Sequence, residues 1–193
     1  CVRPGTCDIG SYEASDDSAC VYCAAGRLML TASGFEGASA CLACGAGKSS
    51  NVGAQFCTDC AAGAVSSSGG LCLSCVAGRY SAGSGQSQCL ACPAGAVSSA
   101  SGTSDAACIP CSAGKAALSG ESACSTCQIG HFAGDEDSDV GDATSLVSEG
   151  AMFCLECPPG YYSSSIGSIS CSPCTAGTSN PHPGSSNCTE CSA

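Results

Sequence analysis

Ten C-x-x-C pairs run through the chain, beginning at Cys20, Cys41, Cys57, Cys72, Cys89, Cys108, Cys124, Cys154, Cys171 and Cys188. Cys1 and Cys7 complete a set of 22 cysteines. A glycine stands three residues after Cys7 and after the second cysteine of nine pairs: Gly10, Gly26, Gly47, Gly63, Gly78, Gly95, Gly114, Gly130, Gly160 and Gly177. Glycine reaches positive φ and tolerates close backbone approach, so an offset that never varies predicts a chain reversal just after each cysteine pair. A unit repeated this often makes an array rather than one globule.

Large apolar side chains are too few to hold such a chain by themselves. Leu, Ile, Val and Phe account for 26 of 193 residues, Trp is absent and the net charge is −11. Without the cysteines that balance would indicate disorder. With them it indicates a disulfide scaffold in an oxidising compartment, secreted or on the outer face of the cell. A bridge closing a loop of about 15 residues contributes roughly 3 kcal/mol in the chain-entropy model. Five Lys and Arg residues make nucleic acid and anionic membrane poor partners. The chain opens on Cys1 without a leader, which reads as a mature or partial segment, and no apolar run is long enough to insert into a membrane.

Gap lengths suggest module boundaries. Twelve or 13 residues follow Cys7, Cys44, Cys75, Cys111 and Cys157, whereas the alternate gaps vary from 11 to 26. If uniform gaps lie inside stapled units and variable ones link them, the modules are 1–40, 41–71, 72–107, 108–153 with an acidic insertion at 135–148, and 154–187. Residues 188–193 open a sixth. First-to-third and second-to-fourth pairing within modules predicts Cys1–Cys20, Cys7–Cys23, Cys41–Cys57, Cys44–Cys60, Cys72–Cys89, Cys75–Cys92, Cys108–Cys124, Cys111–Cys127, Cys154–Cys171 and Cys157–Cys174. Cys188 and Cys191 are then left without partners. The rival is a ladder joining the second cysteine of each pair to the first of the next, and spacing does not decide between them.

Arg79-Tyr80-Ser81, Tyr161-Tyr162-Ser163, Ala64-Val65-Ser66 and Ala96-Val97-Ser98 have hairpin character between Gly and Ser clusters. Tyr12, Tyr80, Phe132 and Tyr162 each stand five residues after a cysteine, placed to cover a disulfide. No helix is expected. The fold class is a small disulfide-rich, all-β or irregular one with little hydrophobic core.

The units Cys89-Leu-Ala-Cys92-Pro93-Ala-Gly95 and Cys154-Leu-Glu-Cys157-Pro158-Pro159-Gly160-Tyr161-Tyr162-Ser163 resemble the ephrin-receptor-like cysteine-rich repeat, an EGF-like relative of the tumour-necrosis-factor-receptor module. Proline after the second cysteine is replaced by Ala24, Gly45, Ala61, Val76, Ser112 and Thr175 elsewhere. Long arrays of this kind are also similar to cysteine-rich surface proteins of protists and algae: variant surface antigens, ciliate immobilisation antigens and flagellar-hair proteins. The resemblance implies an extended, non-catalytic extracellular rod.

Other chemistries are weaker. Paired C-x-x-C motifs with a 12-residue gap fit zinc spacing, but each four-thiolate site adds two negative charges to an already acidic chain. Asp135, Asp137 and Asp139 form a weak calcium candidate. The EF-hand pattern fails, with Val140 where Gly belongs and Leu146 where Glu belongs, and a solvated acidic loop is the simpler reading. His131 and His182 are the sole neutral-pH bases and neither has a nucleophile motif. No enzyme activity and no cofactor is therefore expected. Asn187-Cys188-Thr189 is an N-glycosylation triplet, and the serine runs at 66–68 and 163–165 are candidates for O-linked sugar. Two functions follow from these features. One is a structural protein of a surface coat, fibre or mastigoneme-like hair that associates with itself. The other is a receptor or adhesin ectodomain that binds another extracellular protein or glycan.

Overall fold

The computed structural model describes residues 7, 10–13, 19–29, 41–99, 108–135 and 149–192. Local structure begins at the glycine after each pair. Gly45-Ala46-Gly47-Lys48 closes a turn in which the Lys48 N–H donates to the Gly45 carbonyl at 3.1 Å, with Gly47 third at φ 78°. A type II turn needs positive φ at that place, which explains the constant offset. Equivalent turns close at Arg27, Ala64, Ala96, Lys115, His131, Tyr161 and Thr178. Pro159 takes the second position of its turn, where its fixed φ already fits.

Each turn launches a short strand that pairs antiparallel with the residues between the next two cysteines. In this way β1 (Ser11–Glu13) pairs with β2 (Cys20–Tyr22), β3 (Arg27–Leu28) with β4 (Leu42–Ala43), and β5 (Lys48–Ser49) with β6 (Thr58–Asp59). The same pattern joins β7 (Ala64–Val65) to β8 (Leu73–Ser74), β9 (Arg79–Tyr80) to β10 (Leu90–Ala91), and β11 (Ala96–Val97) to β12 (Ile109–Pro110). It continues with β13 (Lys115–Ala116) and β14 (Ser125–Thr126), β15 (His131–Gly134) and β16 (Phe153–Glu156), β17 (Tyr161–Tyr162) and β18 (Ser172–Pro173), and β19 (Thr178–Ser179) and β20 (Thr189–Glu190). All four segments singled out for hairpin character begin strands, and no helix is found among the described residues.

Two-residue strands do not hold a hairpin in water, and here a disulfide closes each one. The bridges are Cys7–Cys20, Cys23–Cys41, Cys44–Cys57, Cys60–Cys72, Cys75–Cys89, Cys92–Cys108, Cys111–Cys124, Cys127–Cys154, Cys157–Cys171 and Cys174–Cys188. This is the ladder, and it corrects the crossed pattern. Cys7–Cys23, Cys41–Cys57, Cys44–Cys60, Cys72–Cys89, Cys75–Cys92, Cys108–Cys124, Cys111–Cys127, Cys154–Cys171 and Cys157–Cys174 are not formed. Cys1 lies outside the described residues, and its expected partner Cys20 is bonded to Cys7. The reason lies in strand geometry. An extended dipeptide places the cysteines flanking it on opposite faces, so the first bonds backward and the second forward. Cys191 has a free, exposed thiol. Bridges run across the boundaries drawn at 40/41, 71/72, 107/108, 153/154 and 187/188, so the covalent repeat is one cysteine pair long.

Two compact units can be distinguished, one comprising Cys1–Val76, Tyr80–Leu90 and Ser101–Asp105, the other Ala77–Arg79, Ala91–Ala100 and Ala106–Ala193. The interior of the first is made mainly of cystine and serine: Cys23, Cys44, Cys60, Cys75, Ser50, Ser66 and Ser81 are buried. The second adds two small apolar clusters. Ala116, Cys127, Ala133 and Ala151 form one, against Cys154. Phe132 forms the other with Cys157, Cys171, Leu155 and Tyr161. Phe132 thereby covers the Cys157–Cys171 bridge, as its spacing from Cys127 suggests.

Candidate functional site

The feature that repeats most faithfully within each unit is the seam between hairpins, and it is built from main-chain atoms. The second cysteine of a pair donates its N–H to the preceding turn glycine, as in Cys44 to Gly26, Cys60 to Gly47 and Cys127 to Gly114, at 2.8–3.0 Å. That turn glycine donates in its turn to the residue just after the first strand of the next hairpin. Gly26 bonds Ser50, Gly47 bonds Ser66, Gly63 bonds Ser81, Gly78 bonds Ser98 and Gly130 bonds Ser163, at 2.7–3.0 Å. A second glycine, in the loop of that next hairpin, donates back to the earlier cysteine carbonyl: Gly53 to Cys23, Gly85 to Cys60, Gly120 to Cys92, Gly167 to Cys127 and Gly184 to Cys157.

The loop glycine reaches further still. A methyl group on Gly47 would overlap the carbonyl oxygen of Gly85, and one on Gly114 would overlap that of Gly167. Gly47 and Gly85 in one unit, and Gly114 and Gly167 in the other, therefore meet across one intervening hairpin, and only hydrogen fits there.

Burial recurs near the strand end as well, with Ser or Ala at seven of the nine positions. The position three residues after the turn glycine is buried as Met29, Ser50, Ser66, Ser81, Ser98, Ala117, Ala133, Ser163 and Asn180. Where it is polar, its side chain can be satisfied by the preceding hairpin. Ser50 Oγ donates to the Arg27 carbonyl at 2.7 Å, and Asn180 Nδ2 donates to the Tyr161 carbonyl at 2.6 Å. Neither position, the loop glycine nor the buried residue near the strand end, is marked by the cysteine spacing. The loop glycine has a legible signal, because Gly53, Gly69, Gly85, Gly120, Gly167 and Gly184 each follow a turn glycine by six or seven residues.

The other candidates disperse over the molecule. The Asp135 carboxylate accepts a hydrogen bond from the Met152 N–H at 3.2 Å, while Asp137 and Asp139 lie outside the described residues. His131 Nδ1 is 3.2 Å from the Ile129 carbonyl, and His182 is exposed near a turn between Pro181 and Pro183. Twenty cysteines are consumed in bridges, which removes the thiolates that a zinc reading requires. Of the serine runs, Ser66 and Ser163 are buried, leaving Ser67, Ser68, Ser164 and Ser165 exposed. Asn187 is exposed. Among the described residues no helix is long and apolar enough to cross a membrane.

No curated protein matches the chain. Residues 63–108 and 145–191 match the family model for tyrosine-protein kinase ephrin type A/B receptor-like modules, a non-catalytic extracellular type of domain. The chain is a disulfide-rich tandem array of cysteine repeats that carries ephrin-receptor-like modules over those two stretches.

Proposed function

We propose that this chain is a segment of an extracellular structural protein that contributes to a coat, fibre or hair by associating with copies of itself. The observation that carries the reading is the seam. Neighbouring hairpins meet through backbone hydrogen bonds and glycine contacts that recur within each unit. Cross-linked architecture of this kind resists unfolding without needing a core. A repeated surface mark supports association: the residue after the leading cysteine is an exposed aliphatic at Val21, Leu42, Leu73, Leu90 and Ile109. Extracellular placement is supported by ten bridges and by the family match. The test is sedimentation and negative-stain microscopy of the purified, bridged chain across a concentration series. Concentration-dependent polymers are expected, and a monomer at every concentration would overturn the reading.

A receptor or adhesin reading is favoured by one feature. The hairpin β15–β16 has four-residue strands, a buried Phe132 and the acidic insertion, so it differs from its neighbours. On this reading the insertion presents a binding face to a protein or glycan. Deleting 136–148 would then abolish capture of a partner from native extracts while leaving the ten bridges intact.

A further inference from the structure

Asn187-Cys188-Thr189 takes no part in the seam. We infer that Asn187 is an N-glycan acceptor whose occupancy is decided by competition with closure of the Cys174–Cys188 bridge. The asparagine sits exposed in the bend leading into β20, so a bulky, hydrated sugar there meets solvent. The other two residues of the triplet are committed by the fold. Cys188 is bonded to Cys174 with the Cα atoms 5.8 Å apart. Thr189 pairs with Ser179 in the β19–β20 hairpin, and its Oγ1 donates to the Ser179 carbonyl at 3.2 Å.

The motif demands a hydroxyl two residues after the asparagine, so that hydroxyl takes part in recognition of the acceptor. Here it is already spent on β19. Recognition thus requires β20 to be off its partner, and the bridge between residues 14 apart holds it on. The donor is a lipid-pyrophosphate-linked oligosaccharide met during secretion. Asn187 Nδ2 forms the bond to the anomeric carbon, the carbon–oxygen bond to pyrophosphate breaks, and the lipid pyrophosphate leaves with the electron pair. One amide proton passes to the transferring enzyme's base. Once the sugar is attached, the bridge can still close, because Asn187 faces outward.

The inference rests on the extracellular reading, and its test separates the two. The full chain is passed through the secretory pathway of a eukaryotic cell. Intact mass is measured with and without reductant, and before and after enzymatic release of N-glycans. Wild type is expected to carry sugar on a fraction of molecules and N187Q on none. C174S keeps the triplet and removes the bridge, and its occupancy is expected to rise at least twofold. Should C174S be retained in the cell, wild type synthesised under a membrane-permeant reductant gives the same readout from the intracellular pool. A bridged, secreted wild type with no sugar under any condition would overturn the inference and leave the extracellular reading standing. Equal occupancy with and without the bridge would overturn the competition. A chain that enters the pathway but stays reduced would overturn the extracellular reading instead.

Discussion

The hairpins β5–β6 and β15–β16 solve one problem with different means. In β5–β6 the strands are two residues long, Leu42 and Phe56 nearby are exposed, and the bridge Cys44–Cys57 spans 13 residues. In β15–β16 the strands are four residues long and the bridge Cys127–Cys154 spans 27. Doubling a loop adds only about 0.6 kcal/mol to its closure cost, whereas burying one Phe contributes about 1.5–3 kcal/mol. The extra strand length, Phe132, Ala133 and Ala151 therefore more than offset the insertion. Where the loop is short, cystine and backbone suffice. Where it is long, the chain adds a small apolar core.

That contrast can be broken at several places. The largest effect is expected at the seam. Gly114→Ala places a methyl group into the Gly167 carbonyl and is expected to prevent secretion of a correctly bridged chain. Gly120→Ala meets only an ordinary contact with Ala91 Cβ at 3.6 Å and should cost the left-handed backbone, about 1–2 kcal/mol. Secretion yield and disulfide mapping of both variants check this, and equal behaviour would remove the steric account. Next, Phe132→Ala should lose about 3–5 kcal/mol, seen as faster hydrogen exchange over 128–135 and 153–157, with the β5–β6 hairpin unchanged. Replacing Cys44 and Cys57 together by Ser should cost about 2–4 kcal/mol, with exchange rising mainly between residues 41 and 60. Deleting 136–148 should leave stability within about 0.6 kcal/mol of wild type, because the strands Gly134 and Phe153 end on already pair. A similarly small effect is expected from Lys48→Ala, which removes an exposed ion pair with Asp59 and should change stability by less than about 1 kcal/mol in thermal unfolding.

Much of this fold can be read from the residues alone. The constant Cys-x-x-Gly offset marks the turns because a residue at φ near +80° has to be glycine. Dipeptides such as Ala64-Val65 and Tyr161-Tyr162 mark the strands beside those turns. The bridge register is not legible from gap lengths, because every gap is a hairpin loop and loop closure depends only weakly on length. A 12-residue and a 26-residue gap thus serve the same purpose, and uniformity marks no boundary. The seam escapes for a different reason. Ser50 or Ser98 looks like an ordinary polar turn residue until the neighbouring hairpin is seen to exclude water from it.

The glycine contacts carry a consequence for how such a chain can change. Because adjoining repeats recognise one another through peptide groups, the grammar of the array is nearly independent of its vocabulary. Two cysteines, two glycines and one residue that tolerates burial are what a newly duplicated repeat retains to slot in. The remaining positions are left open to rewrite what the surface displays.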